Sequence, residues 1–352
     1  MRFESVHLAA VAYDLPPDNH VVTSLALEAR LAPLYERFGL HAGRIELMSG
    51  ITERRHYPAG TRPSEIATRA GARALAEAQD LGIPKSAIGQ LFFGSVCRDF
   101  LEPASASVVH HALALGHQTP SFDLSNACLG FVNSMVLAAH LIESRVIPAA
   151  LVVAGEDGGP LVERTIARLL EPGTTRRDLK RAVASLTIGS GGAAMVLCHR
   201  DQLGAAAERT PRLVAAAQRS ATEHNDLCQG DQASEGGQLM ETDSEALLLA
   251  GVALAEETWA EFQELTGWDA DACERIVTHQ VGSAHRRALL GCLGLAAERD
   301  FPTVATLGNI GSVSLPITYA LGRAAGFLGL EHRTALLGIG SGLNCSMLAV
   351  AP

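Results

Sequence analysis

A cysteine placed where an apolar strand gives way to an apolar helix is equipped to act as a nucleophile. Cys128, in the run Asp123-Leu-Ser-Asn-Ala-Cys128-Leu-Gly-Phe131, has that placement. Unpaired backbone N–H groups and the positive end of the helix dipole both favour thiolate there. The same N–H groups can later hold the oxyanion of a thioester under attack. Two further residues are placed to assist. His279 closes the strand-like Ile276-Val-Thr-His279-Gln280, and Asn309 lies in Leu307-Gly-Asn309-Ile-Gly-Ser312, on a second strand-to-helix turn. A histidine is more often structural than catalytic. Among the 13 present, His110, His111 and His285 have no comparable setting and are read as structural.

The elements around these residues occur twice. Asp123-Leu-Ser-Asn-Ala-Cys128, an apolar helix to Ile142 and the strand Ala149–Glu156 are echoed by Thr306-Leu-Gly-Asn-Ile-Gly311, a helix to Leu328 and the strand Thr334–Ser341. Asn126 and Asn309 are 183 residues apart, and the two strands 185. Each half closes on a glycine-bearing run, Gly189-Ser-Gly and Gly340-Ser-Gly, leading into a strand. A repeat of this length points to two βαβ halves related by a pseudo-twofold, divided at about 1–200 and 201–352. The helix Leu129–Ile142 is apolar on every face, which predicts burial on every face in a central layer between two sheets. Cys128, His279 and Asn309 then converge where the halves meet. The polar segments Asp157–Ala182 and Asn225–Ser244 read as excursions over the core, either lid or surface loop.

Composition narrows the class. The chain has 352 residues, 47% hydrophobic and 19% charged, with 34 glycines, the balance of a well-buried α/β enzyme. A net charge of −10 argues against nucleic acid and anionic membranes as partners. Seven cysteines without C-x-x-C pairing read as reduced thiols in a cytoplasmic protein, with neither a disulfide framework nor a metal site. The N-terminus lacks a signal-peptide profile, and the longest apolar stretch, Ala246–Ala255, is too short for a membrane span.

Together, Gly50-Ile-Thr-Glu-Arg-Arg-His56, Ser125-Asn-Ala-Cys128-Leu-Gly-Phe131, Thr278-His-Gln280, Gly308-Asn-Ile-Gly-Ser312 and Gly338-Ile-Gly-Ser-Gly342 resemble the thiolase superfamily, and within it the ketoacyl-ACP-synthase-III-like condensing enzymes. The resemblance implies a thiolase fold with a five-layered αβαβα core and a Cys-His-Asn site of Cys128, His279 and Asn309. Cys128 would carry an acyl group as a thioester, and His279 and Asn309 would hydrogen-bond the thioester oxygen of the second substrate. The backbone N–H groups of Cys128 and Ser341 would form the oxyanion hole. No cofactor is implied, coenzyme A thioesters being the substrates, with an acyl carrier protein as alternative donor.

A condensation of two plain acyl thioesters needs a base, since no decarboxylation supplies the carbanion. Gly94-Ser-Val-Cys-Arg98-Asp99-Phe-Leu-Glu102-Pro103 and the stretch Val22–Tyr35 resemble the OleA-type branch, which joins two acyl-CoAs head to head. That resemblance makes Glu102 a general base reaching the partner's site in a homodimer, joined along Ser121–Leu124. A partly desolvated carboxylate is a stronger base. Glu102 also reads as a solvated helix cap, and Arg98 and Asp99 as a surface ion couple. The chain departs from the initiating synthases at Gly282 and Ala284, where asparagine and arginine are usual, and at Met48, where an arginine touching coenzyme A is common. Arg54, Arg55, Arg286 and Arg287 are the remaining basic candidates, surface arginines being the simpler reading. The alternatives are a decarboxylative 3-oxoacyl-ACP synthase III, a β-lactone-precursor synthase, a cysteine hydrolase and a silent scaffold.

Overall fold

The strand Ala149–Glu156 is buried at all eight positions, because each of its faces meets a different core. Ala150, Val152 and Ala154 enter one apolar cluster, and Ala149, Leu151 and Val153 enter another. This period of two, apolar on both sides, is what a strand between two helical layers requires.

The computed structural model describes residues 1–233 and 237–352. Its large sheet takes, in chain order, β1 (Val6–Asp14), β2 (Ile88–Phe93), β3 (Ser121–Asp123), β4 (Ala149–Glu156), β5 (Gly191–His199), β6 (Arg212–Ser220), β7 (Arg275–Thr278), β8 (Thr334–Gly340) and β9 (Asn344–Ala351). Six helices cover it: α1 (Pro63–Asp80), α2 (Ser105–Ala112), α3 (Gly130–Glu143), α4 (Ser244–Thr266), α5 (Ser283–Cys292) and α6 (Ser314–Ala324). The strand order is β7-β8-β9-β6-β1-β5-β4-β2-β3. It forms two leaves, β3-β2-β4-β5-β1 and β7-β8-β9-β6, joined where β1 and the residues before it meet β6: His7 pairs with Arg212 and Arg2 with Ala215. Each leaf is mixed. β4 runs parallel to β2 and antiparallel to β5, and β8 runs parallel to β7 and antiparallel to β9.

Three cores separate five layers. One packs α1 and α2 on the outside of the first leaf, through Ala67, Ala70, Ala74 and Val109. Another packs α4 and α5 on the outside of the second, through Leu254, Trp259, Phe262 and Leu289. The middle core holds α3 and α6 between the leaves, with Phe131, Met135, Ile142, Ile317 and Tyr319 beside Val152, Leu336 and Leu348. This is the thiolase arrangement. Nine of the 14 residues of α3 are buried, so the apolar periphery of that helix has its explanation.

The two excursions are structured. Asp157–Ala182 is no surface loop; it carries the helices Gly159–Leu169 and Arg176–Ala182. The first packs Val162, Ile166 and Leu169 against Leu27, Leu31 and Leu34 of the N-terminal helices, giving a cap with its own apolar core. Buried Glu28 fastens this cap by accepting from Gly43 N–H (2.5 Å), Ile45 N–H (2.8 Å) and the Tyr35 hydroxyl (3.1 Å). Asn225–Ser244 contains a hairpin of Cys228–Ala233 with Gly237–Thr242. Among the described residues no helix is long and apolar enough to cross a membrane.

Candidate active site

Cys128 belongs to the 3-10 turn Ala127–Leu129 ahead of α3, after Ala127 at φ 45°, a left-handed value unusual for a residue with a Cβ. The turn sits where it does because two glycines let backbones touch. A Cβ on Gly94, just past β2, would stand 2.6 Å from Gly130 O, and one on Gly130 would stand 2.7 Å from Gly94 O. From the other half, the end of β8 presses on the same turn: a Cβ on Gly340 would lie 3.0 Å from Leu129 Cγ.

Asn309 is held from the opposite direction. Its N–H donates to Thr187 O (3.0 Å) and its carbonyl accepts from Gly189 N–H (2.9 Å). Gly308 has φ +69°, and a Cβ there would stand 2.5 Å from Thr187 O. The side-chain oxygen accepts from Gly311 N–H (3.0 Å), so the NH2 end of the carboxamide is the one left to donate.

His279 follows β7 directly, its N–H donating to Leu337 O (2.8 Å). Gln280 then clamps the chain that leads to Asn309. Its Oε1 accepts from Thr303 N–H (2.9 Å) and Val304 N–H (3.0 Å), and its Nε2 donates to Phe301 O (2.7 Å). Neither ring nitrogen of His279 has a protein partner among the described residues. Burial lowers its pKa to about 4, with a smaller push from His285, so the imidazole is neutral at ordinary pH.

Cys128, His279, Asn309 and Ser341 line one cavity of about 1260 Å³, larger than the ~300–1,000 Å³ of ordinary small-molecule sites. Leu161, Leu247, Leu248, Val252, Leu289, Ile339 and Leu343 give it a greasy wall, and Met48 stands on its border. The resting thiol differs from the sequence expectation. Burial pushes Cys128 up to about 12, reinforced by Glu156 and Cys228, against one favourable contact with its own N–H. A short 3-10 turn inside a desolvated pocket does not offset that penalty. Thiol and imidazole are both neutral before substrate arrives.

Glu102 is exposed and lies outside the residues lining this cavity. It does not cap the helix that follows. Asp123 does, accepting from Ser105 N–H (3.0 Å) and Ala106 N–H (2.8 Å). Arg98 and Asp99 are not an ion couple either: Asp99 accepts from Ser64 N–H (2.9 Å) and Ser64 Oγ (2.5 Å), and Arg98 donates to Ser125 Oγ (3.4 Å). Arg54 is no surface residue. It is completely buried, donating to Ser24 Oγ (3.1 Å), and burial lowers its pKa to about 10. Arg55 pairs with Asp18 (2.6 Å), and Arg287 is exposed and outside the lining. Of the four arginines only Arg286 borders the cavity, beside Arg98, Arg177, Lys180 and Arg181.

Three features escaped the sequence reading. His285, in the first turn of α5, lines the cavity, and burial lowers its pKa. Glu156, at the end of β4, is buried beside Cys128. Under the nucleophile turn, Asn126 Nδ2 donates to Asn133 Oδ1 (2.6 Å), Asn133 Nδ2 to Ser346 Oγ (3.3 Å) and Asn344 Nδ2 to Asn126 Oδ1 (3.2 Å). These amides stitch α3 to β9 across the middle layer. Only the position of His285, six residues past His279, was a usable signal.

Known proteins share this fold and sequence. Residues 122–210 match the model for 3-oxoacyl-[acyl-carrier-protein] synthase III, and residues 264–351 match that for its C-terminal part. The acyl-CoA:acyl-CoA alkyltransferase of Shewanella oneidensis is 38% identical, and that of Xanthomonas campestris pv. campestris 37%, each over 99% of both chains. The chain belongs to the acyl-CoA:acyl-CoA alkyltransferase family of synthase-III-like thiolase-superfamily acyltransferases. A β-ketoacyl-ACP synthase III of Bradyrhizobium diazoefficiens is more distant, at 27% identity over 97% of both chains. A crystal structure of Xanthomonas campestris OleA superposes on this member of the alkyltransferase family with a TM-score of 0.93, at 36% identity over 100% of this chain and 98% of that one. Another OleA structure, with bound lauric acid and lauroyl-CoA, gives 0.92 at 36% identity over 99% of this chain and 100% of the other. Within the alkyltransferase family, then, this chain presents a thiol, an imidazole and a carboxamide at one greasy cavity.

Proposed function

We propose that this enzyme joins two fatty acyl-CoAs by non-decarboxylative Claisen condensation, giving a 2-alkyl-3-oxoacyl thioester that is hydrolysed to the β-keto acid. The observation that carries this reading is the single cavity that combines Cys128, His279 and Asn309 with a long apolar wall. Its size suits two acyl chains.

In the first half-reaction the Cys128 sulfur attacks the acyl-CoA carbonyl. The C–S bond to coenzyme A breaks, and the thiol proton ends on the departing CoA sulfur. The N–H groups of Cys128 and Ser341 hold the oxyanion, each such donor being worth about 3–4 kcal/mol in a dry site. The second acyl-CoA then places its thioester oxygen against His279 and Asn309. A neutral imidazole keeps one N–H to donate, which agrees with its pKa near 4. The carbanion left by loss of the α-proton attacks the acyl-Cys128 carbonyl, and collapse returns the Cys128 thiolate, which takes up a proton.

Glu102 is the proposed base, supplied to the neighbouring subunit of a homodimer. Three observations support that assignment: Glu102 is exposed, Leu101 beside it is 80% exposed, and β3 is an edge strand carrying Phe122 at 42% exposure. We place the enzyme in the cytoplasm, without a bound cofactor. The phosphate-bearing end of coenzyme A would meet Arg177, Lys180 and Arg181 on the cap helix.

The test is incubation with one long-chain acyl-CoA. Release of CoA and a ketone formed by spontaneous decarboxylation are expected. Turnover only when malonyl-ACP is added would replace this reading by the decarboxylative one. Glu102→Ala should still load Cys128 yet condense about 10²–10⁴-fold more slowly.

A further inference from the structure

Glu156, the last residue of β4, is 4% exposed and borders the cavity beside Cys128. Its carboxylate receives donors from both halves of the chain. Val96 N–H (2.8 Å) and Cys97 N–H (3.0 Å) come from the loop after β2 that leads to Glu102. Ser312 N–H (3.3 Å) and the Ser312 hydroxyl come from the turn that carries Asn309. Three of these four are backbone N–H groups, which only donate; with the Ser312 hydroxyl they favour the ionised carboxylate against burial, which raises its pKa. Gly311 at φ +57° lies flat against it, and a Cβ there would stand 3.3 Å from its Cδ.

We propose that Glu156 is a positioning residue for condensation: one buried carboxylate that holds the Val96–Cys97 loop and the Asn309 turn in register across the seam. This rests on the condensation reading. The balance of forces supports it. A buried carboxylate is costly unless its lone pairs are filled, and here they are filled from two segments far apart in sequence. Removing it releases both segments at once.

The same charge has a second consequence. The titratable groups facing Cys128 are Glu156 and Cys228. Glu156 itself faces Cys97, which in turn faces Asp157, and His279 faces His285. Burial raises the Cys128 thiol most, and an ionised Glu156 adds to it.

The experiment uses the full chain with Glu156→Gln and Glu156→Asp. Gln keeps the shape but turns an NH2 toward one of the donors. Asp keeps the charge but is one methylene short of bridging both segments. Cys128 alkylation by iodoacetamide is followed by intact mass against pH, and acylation and condensation are measured per alkylatable site, so that unfolded protein is not counted. For Glu156→Gln, alkylation of Cys128 at about pH 8 to 9 should be faster than in the wild type, because the neutral amide no longer disfavours the thiolate. The ratio of condensation to acylation should fall about 10²-fold, as for a displaced catalytic group. Glu156→Asp should keep the wild-type alkylation profile and still lose condensation relative to acylation. An unchanged ratio in Glu156→Gln overturns the positioning role, and an unchanged alkylation profile overturns the charge effect. If the wild type fails to condense acyl-CoA, the functional reading falls separately, and the alkylation profile still decides whether Glu156 acts on the thiol.

Discussion

The turn at Cys128 and the turn at Asn309 stand at matching places in the two halves, each a 3-10 turn or its approach ahead of a helix in the middle layer. Each is gripped by the Gly-Ser-Gly run of the opposite half, but by different means. Thr187 and Gly189 hold Asn309 with two backbone hydrogen bonds, leaving only the carboxamide to do chemistry. Gly338 and Gly340 instead press on the Leu129 side chain of the nucleophile turn. The duplicated scaffold fixes where the two turns lie. On the proposed mechanism, what each can do depends on whether the opposing backbone spends its donors on holding or keeps them for an oxyanion.

Four experiments break or sharpen this contrast. The largest effect belongs to the nucleophile: Cys128→Ala should remove the acyl adduct from the intact mass and lower turnover by about 10³-fold or more. Asn309→Ala should spare acylation and lower condensation by about 10²–10³-fold, since it deletes one donor to the enolate. If both partial reactions fell together, the division of labour between the turns would be wrong.

The glycines separate the halves more gently. Gly340→Ala brings a Cβ to 3.0 Å from Leu129 Cγ, and Gly189→Ala drives one into the Leu307 carbonyl. Each should cost about 1–3 kcal/mol, read as a lower Tm. Gly340→Ala should slow acylation and Gly189→Ala condensation; the reverse pattern would refute the assignment of grips.

The smallest effect is a pH limb of stability. His279 falls from 6.5 in the unfolded chain to about 4 when folded. Between those values the unfolded state takes up a proton that the folded state refuses, so stability rises with pH across that window and is level above it. Relative to its own value at pH 8, the wild type should lose about 1 kcal/mol more than His279→Gln at pH 5.5, measured by urea unfolding. Equal losses would mean that the folded imidazole takes up its proton as readily as the unfolded one.

Much of this was readable because it is encoded locally. The alternation in Ala149–Glu156, the apolar girth of α3 and the repeated strand-turn-helix all follow from side chains a few residues apart. The helices of Asp157–Ala182 were missed because their apolar stripe, Val162, Ile166 and Leu169, has meaning only against Leu27, Leu31 and Leu34, over a hundred residues away. Arg54 misled for the same reason, since its burial depends on segments brought in from elsewhere. The protonation of Cys128 was misread because helix-end donors are visible in a sequence, whereas desolvation and a carboxylate 28 residues downstream are not.

The two leaves meet along a short run, His7 with Arg212 and Arg2 with Ala215, and this bears on how such a chain can be assembled. Sheet continuity contributes a short ladder to cohesion, and the sandwiched helices α3 and α6 contribute the larger apolar contact. A polypeptide severed within 204–209 would therefore keep every interlocking surface, so its two fragments should reassociate into a working molecule, while either one alone would expose the flank of its central helix and aggregate.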